Sequence, residues 1–120
     1  MKRKILIVDD DSIMRELEKE IIQDINDFEI IEASNGNEAV DLLRYKAVDL
    51  LITDICMPEM NGIELVDKLR ASGFSMPIVV ISATLDKDTR YQLLFHKPIR
   101  FIEKPFSRDR LSNIVENFVA

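Results

Sequence analysis

Five short apolar runs, at residues 5–8, 28–31, 50–52, 78–81 and 101–102, are each followed by a stretch whose apolar residues recur at helical spacing. That alternation of strand and helix limits the fold more than any other feature of the chain. The runs are continuous instead of alternating with polar residues, as expected where helices cover both faces of a parallel sheet, and the last is short enough to be an edge. Helical stripes lie between them: Ile13, Leu17, Ile21 and Ile25; Val40 and Leu43; Ile63, Val66 and Leu69; Leu111, Ile114, Val115 and Phe118. All of these stripes are expected to pack against the sheet. Start signals agree with them, since Asn35 precedes Glu38 by three residues, Asn61 precedes Glu64 likewise, and Ser107 stands ahead of the last stripe. Gly73 and Pro77 bracket the exit from the third helix. The weakest segment is 86–94, where Leu85, Tyr91, Leu94 and Phe95 give a partial stripe and predict a short fourth helix ending at His96-Lys97-Pro98. The expected class is α/β, a doubly wound (βα)5 parallel sheet with right-handed crossovers, whose ligands bind beyond the carboxyl ends of the strands.

With 120 residues, 47% of them hydrophobic and 32% charged, the chain has the composition of one compact domain spanning residues 1–120. A net charge of -6 argues against direct nucleic-acid binding, which needs a basic face to neutralise phosphates. The single cysteine, Cys56, can form no internal disulfide, which fits a reducing compartment. No apolar run is long enough to span a membrane or to form a signal-peptide core, so the expected location is cytoplasmic.

Asp9, Asp10 and Asp11 close the first apolar run and Asp54 closes the third, so strand polarity brings them to one sheet edge. Taken alone, the first three fit a solvated turn with one carboxylate capping the next helix, the role assigned to Asp11. Asp54 alone fits a turn ahead of Pro58. Together, carboxylates about 4 Å apart would repel by roughly 4 kcal/mol at an effective dielectric near 20, so the cluster calls for a cation or a shared proton. Oxygen donors suit a hard ion that keeps several waters, Mg²⁺ or Mn²⁺. Zinc is disfavoured, because His96 is the only histidine and is better placed as a charge near a helix C-terminus. A carboxylate beside such an ion can attack a phosphoryl group. Lys104, after the fifth run, is placed to pair with phosphoryl oxygens, and Ser82, ending the fourth, offers a hydroxyl. Each also has a plainer reading, a surface lysine and a strand-ending turn residue.

The segments Val8-Asp9-Asp10, Thr53-Asp54-Ile55-Cys56-Met57-Pro58 with Gly62, Ile81-Ser82-Ala83 and Lys104-Pro105-Phe106 resemble the receiver domain of bacterial two-component response regulators, over essentially the whole chain. The resemblance implies a flavodoxin-like sheet of strand order 2-1-3-4-5. The stretch from Leu111 to Val119 is enough for the fifth helix and nothing more, so no output domain is expected in this chain. The resemblance implies Asp54 as phosphoacceptor and Mg²⁺ held by Asp10, Asp54 and the backbone carbonyl of Cys56, with Asp9 acting through water. Lys104 and Ser82 would contact the phosphoryl group, Ser82 and Phe101 would act as the switch pair, and Lys104-Pro105 would be a cis peptide. Cys56 and Thr84 would occupy the positions that modulate phosphate lifetime. Partners would be a sensor histidine kinase or phosphotransfer protein as donor, and a downstream protein or output domain at the face made by the fourth helix, fifth strand and fifth helix. The chain departs from the family where His96-Lys97-Pro98 replaces a frequent Gly-Ala turn, and where Phe101 replaces a frequent tyrosine.

The function expected is thus a phosphorylation-controlled signalling switch and not an enzyme acting on outside substrates. Two alternatives stand beside it: a Mg²⁺-dependent phosphohydrolase working through an aspartyl phosphate, which shares the acidic cluster, and a pseudo-receiver that keeps the fold and binds partners without phosphorylation. Arg90, His96, Lys97, Arg100 and Arg108 gather toward the presumed output face, where they would suit an acidic partner or, more simply, a solvated surface.

Overall fold

The computed structural model describes residues 2–119. Five strands, β1 (Lys4–Val8), β2 (Glu29–Ala33), β3 (Leu50–Asp54), β4 (Ile78–Ser82) and β5 (Ile99–Glu103), alternate with helices α1 (Ser12–Gln23), α2 (Gly36–Leu43), α3 (Gly62–Ala71), α4 (Lys87–Leu93) and α5 (Arg108–Val119). All pairings are parallel, in the order β2-β1-β3-β4-β5. The (βα)5 arrangement and the strand order are those expected.

Every residue of β3 and β4 is buried, as is β1 from Ile5 to its end, so the three central strands are the continuous apolar runs of a sheet covered on both sides. One face is filled by Ile5, Ile7, Leu50, Ile52, Val79 and Ile81 with Ile21 and Ile22 of α1 and Leu111 and Val115 of α5. The other packs Leu6, Val8, Leu51, Ile78 and Val80 against Ala39 and Leu43 of α2 and Leu65, Val66 and Leu69 of α3. Burial of each such side chain contributes about 1.5–3 kcal/mol. Both edges depart from this pattern: in β2 only Ala33 is buried, and in β5 only Ile99 and Ile102.

Two stripes are corrected. In α1, Ile13 is 80% and Leu17 42% exposed, while Ile21, Ile22 and the charged Glu18 are buried. A row at i, i+4 drifts by about 40° per step on a helix of 100° per residue, so over three steps it leaves the sheet-facing side. In the fourth helix Leu85 and Leu93 are buried, but Tyr91, Leu94 and Phe95 are exposed. Those three form an apolar surface patch, with the Tyr91 and Phe95 rings edge to face at 5.8 Å. The helix gives way to a 3₁₀ turn at Leu94–His96.

Helix starts follow their signals. Asp11 accepts from the amides of Ile13 and Met14, Asn61 and Glu64 form a reciprocal capping box, and Ser107 Oγ accepts from the Arg110 amide. At α2, Asn35 accepts from the Glu38 amide, but Glu38 turns its carboxylate to Ser34 and leaves that box half made. Gly73 adopts φ 89° after α3, a conformation open to glycine. Among the described residues no helix is long and apolar enough to cross a membrane.

The unusual His96-Lys97-Pro98 exit is bound to α3. The Arg70 guanidinium donates to the carbonyls of His96 at 2.9 Å, Phe74 at 2.8 Å and Pro98 at 3.2 Å. His96 Nε2 lies 2.6 Å from Asp67 Oδ1, so the imidazole meets a side chain of α3 instead of serving only as a charge at a helix end. Lys97-Pro98 and Lys104-Pro105 are both cis; the second was expected and the first was not. Removing Arg70 leaves three carbonyls to find water. Arg70→Ala should therefore cost about 2 kcal/mol in chemical denaturation, and His96→Gln under about 1 kcal/mol because the Asp67 pair is partly exposed.

Candidate functional site

The ladder between β1 and β3 pairs Val8 with Thr53, so the next residues, Asp9 and Asp54, leave the sheet side by side. Carboxylate oxygens of Asp9, Asp10 and Asp54 all lie within 4.8 Å of one another. Asp9 is 2% and Asp54 8% exposed, whereas Asp10 faces solvent. Asp9 is held by the Asp11 amide at 2.9 Å, and its own carbonyl accepts from Arg15, which also pairs with Glu32. Asp54 Oδ1 accepts from the amides of Ile55 at 2.7 Å and Cys56 at 3.3 Å. Its Oδ2 accepts from Lys104 Nζ at 2.8 Å, and the same ammonium lies 3.8 Å from Asp9. Lys104 is fixed in turn by its backbone amide, which donates to the Ser82 carbonyl at 2.9 Å.

The electrostatics follow from that crowding. Burial, and the neighbouring charges of Asp54 and Asp10, raise the Asp9 carboxyl above the ordinary carboxylate range. Burial acts to lower Lys104, but its hydrogen bond to Asp54 and the charges of Asp54, Asp9 and Glu18 outweigh it and hold the ammonium more strongly protonated. One ammonium faces three aspartates, so a negative excess remains where oxygen donors converge. That donor set fits a hard divalent cation and offers nothing that a thiophilic metal requires.

Gly62 closes the site from behind. Its amide donates to the Ile55 carbonyl at 2.8 Å, and a Cβ there would lie 2.2 Å from the Asp54 carbonyl oxygen. Gly62→Ala should therefore displace the 54–55 backbone and cost at least about 2 kcal/mol in thermal or urea denaturation.

The remaining residues singled out in the sequence stand outside the cluster. Ser82 is fully buried, and its hydroxyl donates to the Thr84 carbonyl at 3.1 Å while accepting from the Thr84 amide at 3.3 Å. It makes no bond to Asp54 in this conformation. Cys56 and Thr84 are exposed beside the site. Phe101 is half-buried, with the Arg90 guanidinium 5.5 Å from its ring centre. The basic residues gathered near this face are largely engaged: Arg90 with Glu103, His96 with Asp67, and Arg108 with Asp24 and Glu20 of α1.

Glu18 went unnoticed in the sequence because a charged helical residue reads as surface. It is 2% exposed, and burial, reinforced by the charges of Asp9 and Asp54 against the opposing pull of Lys104, pushes its carboxyl up to about 8. In the unfolded chain this group ionises near 4.5, whereas the folded protein keeps its proton until about 8. Its contribution is therefore most favourable below the lower value and is lost as pH rises through that window. With a chelator present, native protein should lose on the order of 3 kcal/mol more than Glu18→Gln between about pH 5 and about pH 8 in urea denaturation.

An acidic cluster at the carboxyl edge of a 2-1-3-4-5 parallel sheet, with a lysine from the fifth strand end paired to the central aspartate, defines a receiver. Sequence comparison agrees, since the profile of the response regulator receiver domain matches residues 5–116. The chain belongs to that family, the receiver domains of two-component response regulators. A chemotaxis protein CheY homolog of Campylobacter jejuni is 38% identical over 117 residues, covering 95% of this chain and 90% of the relative. The probable C4-dicarboxylate response regulator DctR of Priestia megaterium is 30% identical over 115 residues, covering 95% of this chain. The chain spans about half the length of that regulator, 50%. The crystal structure of a response regulator receiver protein from Pseudomonas putida superposes with a TM-score of 0.90 at 25% identity, covering 98% of both chains.

Proposed function

We propose that this receiver accepts a phosphoryl group on Asp54 from the phosphohistidine of a sensor kinase or phosphotransfer protein in the cytoplasm, with Mg²⁺ as the cofactor. The observation that carries the reading is the buried Asp54 carboxylate, oriented through one oxygen by two amides and through the other by Lys104. In the transfer, an Asp54 oxygen forms a bond to phosphorus as the bond from phosphorus to imidazole nitrogen breaks, and the released imidazole takes up a proton. Lys104, already on Asp54 Oδ2, follows the incoming oxygens and offsets their charge. Asp10, Asp54 and the Cys56 carbonyl would hold the cation, with Asp9 reaching it through water; when bound, the ion supplies further charge neutralisation for the transferred group. Ser82 would leave Thr84 to donate to the phosphoryl group, and Phe101 would follow it inward. Cys56 and Thr84, exposed beside Asp54, would control the approach of water and hence the lifetime of the acyl phosphate.

Output would pass through the face made by α4, β5 and α5. Its support is the patch of Tyr91 at 68%, Leu94 at 43% and Phe95 at 77% exposure, next to the partly covered Phe101. An apolar patch of this kind suits a protein partner. Incubated with acetyl phosphate and Mg²⁺, the native chain should gain the mass of one phosphoryl group, Asp54→Asn should gain none, and Lys104→Ala should be slowed by about tenfold or more. No gain in the native chain, or an equal gain in Asp54→Asn, overturns the assignment. Sustained turnover of phosphate esters would favour a hydrolase instead.

A further inference from the structure

We propose that Arg15, braced by Glu32, is a positioning residue of the cation site: by gripping the backbone carbonyl of Asp9 it fixes the peptide that carries Asp10 into the acidic cluster. The inference rests on the cation reading of Asp9, Asp10 and Asp54 given above.

The three carboxylates of the cluster are not held alike. Asp54 is fixed through two amides and Lys104, and Asp9 through the Asp11 amide. Asp10 is exposed and is tied by none of the bonds that fix the other two. Its place in the cluster therefore depends on its backbone, and first on the Asp9-Asp10 peptide that leads out of β1. The Asp9 amide still belongs to the sheet, donating to the Ala33 carbonyl at 3.1 Å, and from Asp11 onward the chain is capped into α1. Between these two supports lies the Asp9 carbonyl. Arg15 Nη1 donates to it at 2.5 Å.

The guanidinium is itself held. The Arg15 side chain is 17% exposed, and its Nε donates to Glu32 Oε1 at 3.2 Å. Glu32 stands opposite Ile7 in the ladder between β1 and β2, and paired residues of a parallel ladder project to the same face, here the one covered by α1. Lys19, one turn after Arg15, lies 3.7 Å from the other Glu32 oxygen. Edge strand, helix and acidic turn are thus joined through one side chain. The donors of a guanidinium diverge from one rigid plane, so a single arginine serves the carbonyl and the carboxylate together, which the point charge of a lysine does not reproduce. Glu32 also offsets a positive charge that, unpaired, would repel a cation in the cluster. Support of this kind, outside the ligands, is what orients a ligand that does not orient itself.

The test is calorimetric titration of the full chain with Mg²⁺ for native protein, Arg15→Met, Arg15→Lys, Glu32→Gln and the double variant Arg15→Met/Glu32→Gln. Methionine keeps an apolar stem and removes the donors. On charge alone, loss of the guanidinium would tighten cation binding, whereas Arg15→Met should bind roughly three- to tenfold more weakly, the scale of one hydrogen bond. The double variant, which keeps the native net charge, should weaken by a similar factor, and Arg15→Lys should fall between native and Arg15→Met. Glu32→Gln should weaken native protein more than it weakens Arg15→Met, because its hold on the site passes through the guanidinium. With acetyl phosphate as donor, the half-saturating Mg²⁺ concentration of Arg15→Met should rise by the same factor, while its rate at saturating Mg²⁺ changes by less than about twofold. A merely structural role would lower stability and leave the affinity of the folded protein unchanged, the result expected of Arg70→Ala, which loosens carbonyls at the opposite edge of the sheet, just ahead of β5. Thermal melts without metal confirm folding; should Arg15→Met not fold, the charge-conserving Arg15→Lys decides by the same criterion. Native or tighter affinity in Arg15→Met and in the double variant overturns the proposal. Absence of Mg²⁺ binding in the native chain overturns the cation reading itself, and this inference with it.

Discussion

The register of β1 against β3 is the constraint on which the site depends. Pairing Val8 with Thr53 sets Asp9 beside Asp54 at the end of a ladder whose remaining side chains are aliphatic and buried. A slip of one residue would turn the apolar set of β1 to the opposite face of the sheet and carry Asp9 away from Asp54. The two layers of core that fix this register therefore also fix the distances among the carboxylates. Stability and chemistry are coupled there because the same backbone hydrogen bonds serve both.

Around that pair the protein spends stability in a consistent direction. Burial raises Asp9 and Glu18 toward their neutral forms, and among the described residues Lys104 is the cation drawn in to compensate. An interior designed for stability alone would replace such a group by aliphatic side chains of similar volume. The retained cost creates a place where a further positive charge, or a change in the charge of Asp54, has large consequences. Gly62 belongs to the same economy of space, because its missing Cβ lets the start of α3 close against the backbone of Asp54.

The alternation of strand and helix, the layering and the acidic edge were legible because they rest on short-range signals, apolar runs, caps and strand polarity, whereas the strand order came only through the family resemblance. The identity of the buried face of α1 was not. A row through Ile13, Leu17, Ile21 and Ile25 fits helical spacing, yet drift along the helix turns its first two members to solvent and brings Glu18 inward. Arg70 was equally hidden, since its three carbonyl partners lie up to 28 residues away and backbone acceptors leave no trace in composition. The site residues Asp9, Asp10, Asp54 and Lys104 were found because each ends or follows an apolar run. The bond that Ser82 makes to Thr84 depends on a loop conformation that no spacing rule specifies.

That loop has a mechanical consequence. The Ser82 hydroxyl both donates to and accepts from the backbone of one residue two positions ahead, closing a small ring of bonds. It cannot drift gradually toward the sheet edge while keeping half of its partners satisfied. Rotation of χ1 surrenders both bonds together, so the 82–84 segment behaves as a detent with discrete settings, and any displacement of the hydroxyl is reported at once by the chain leading into α4.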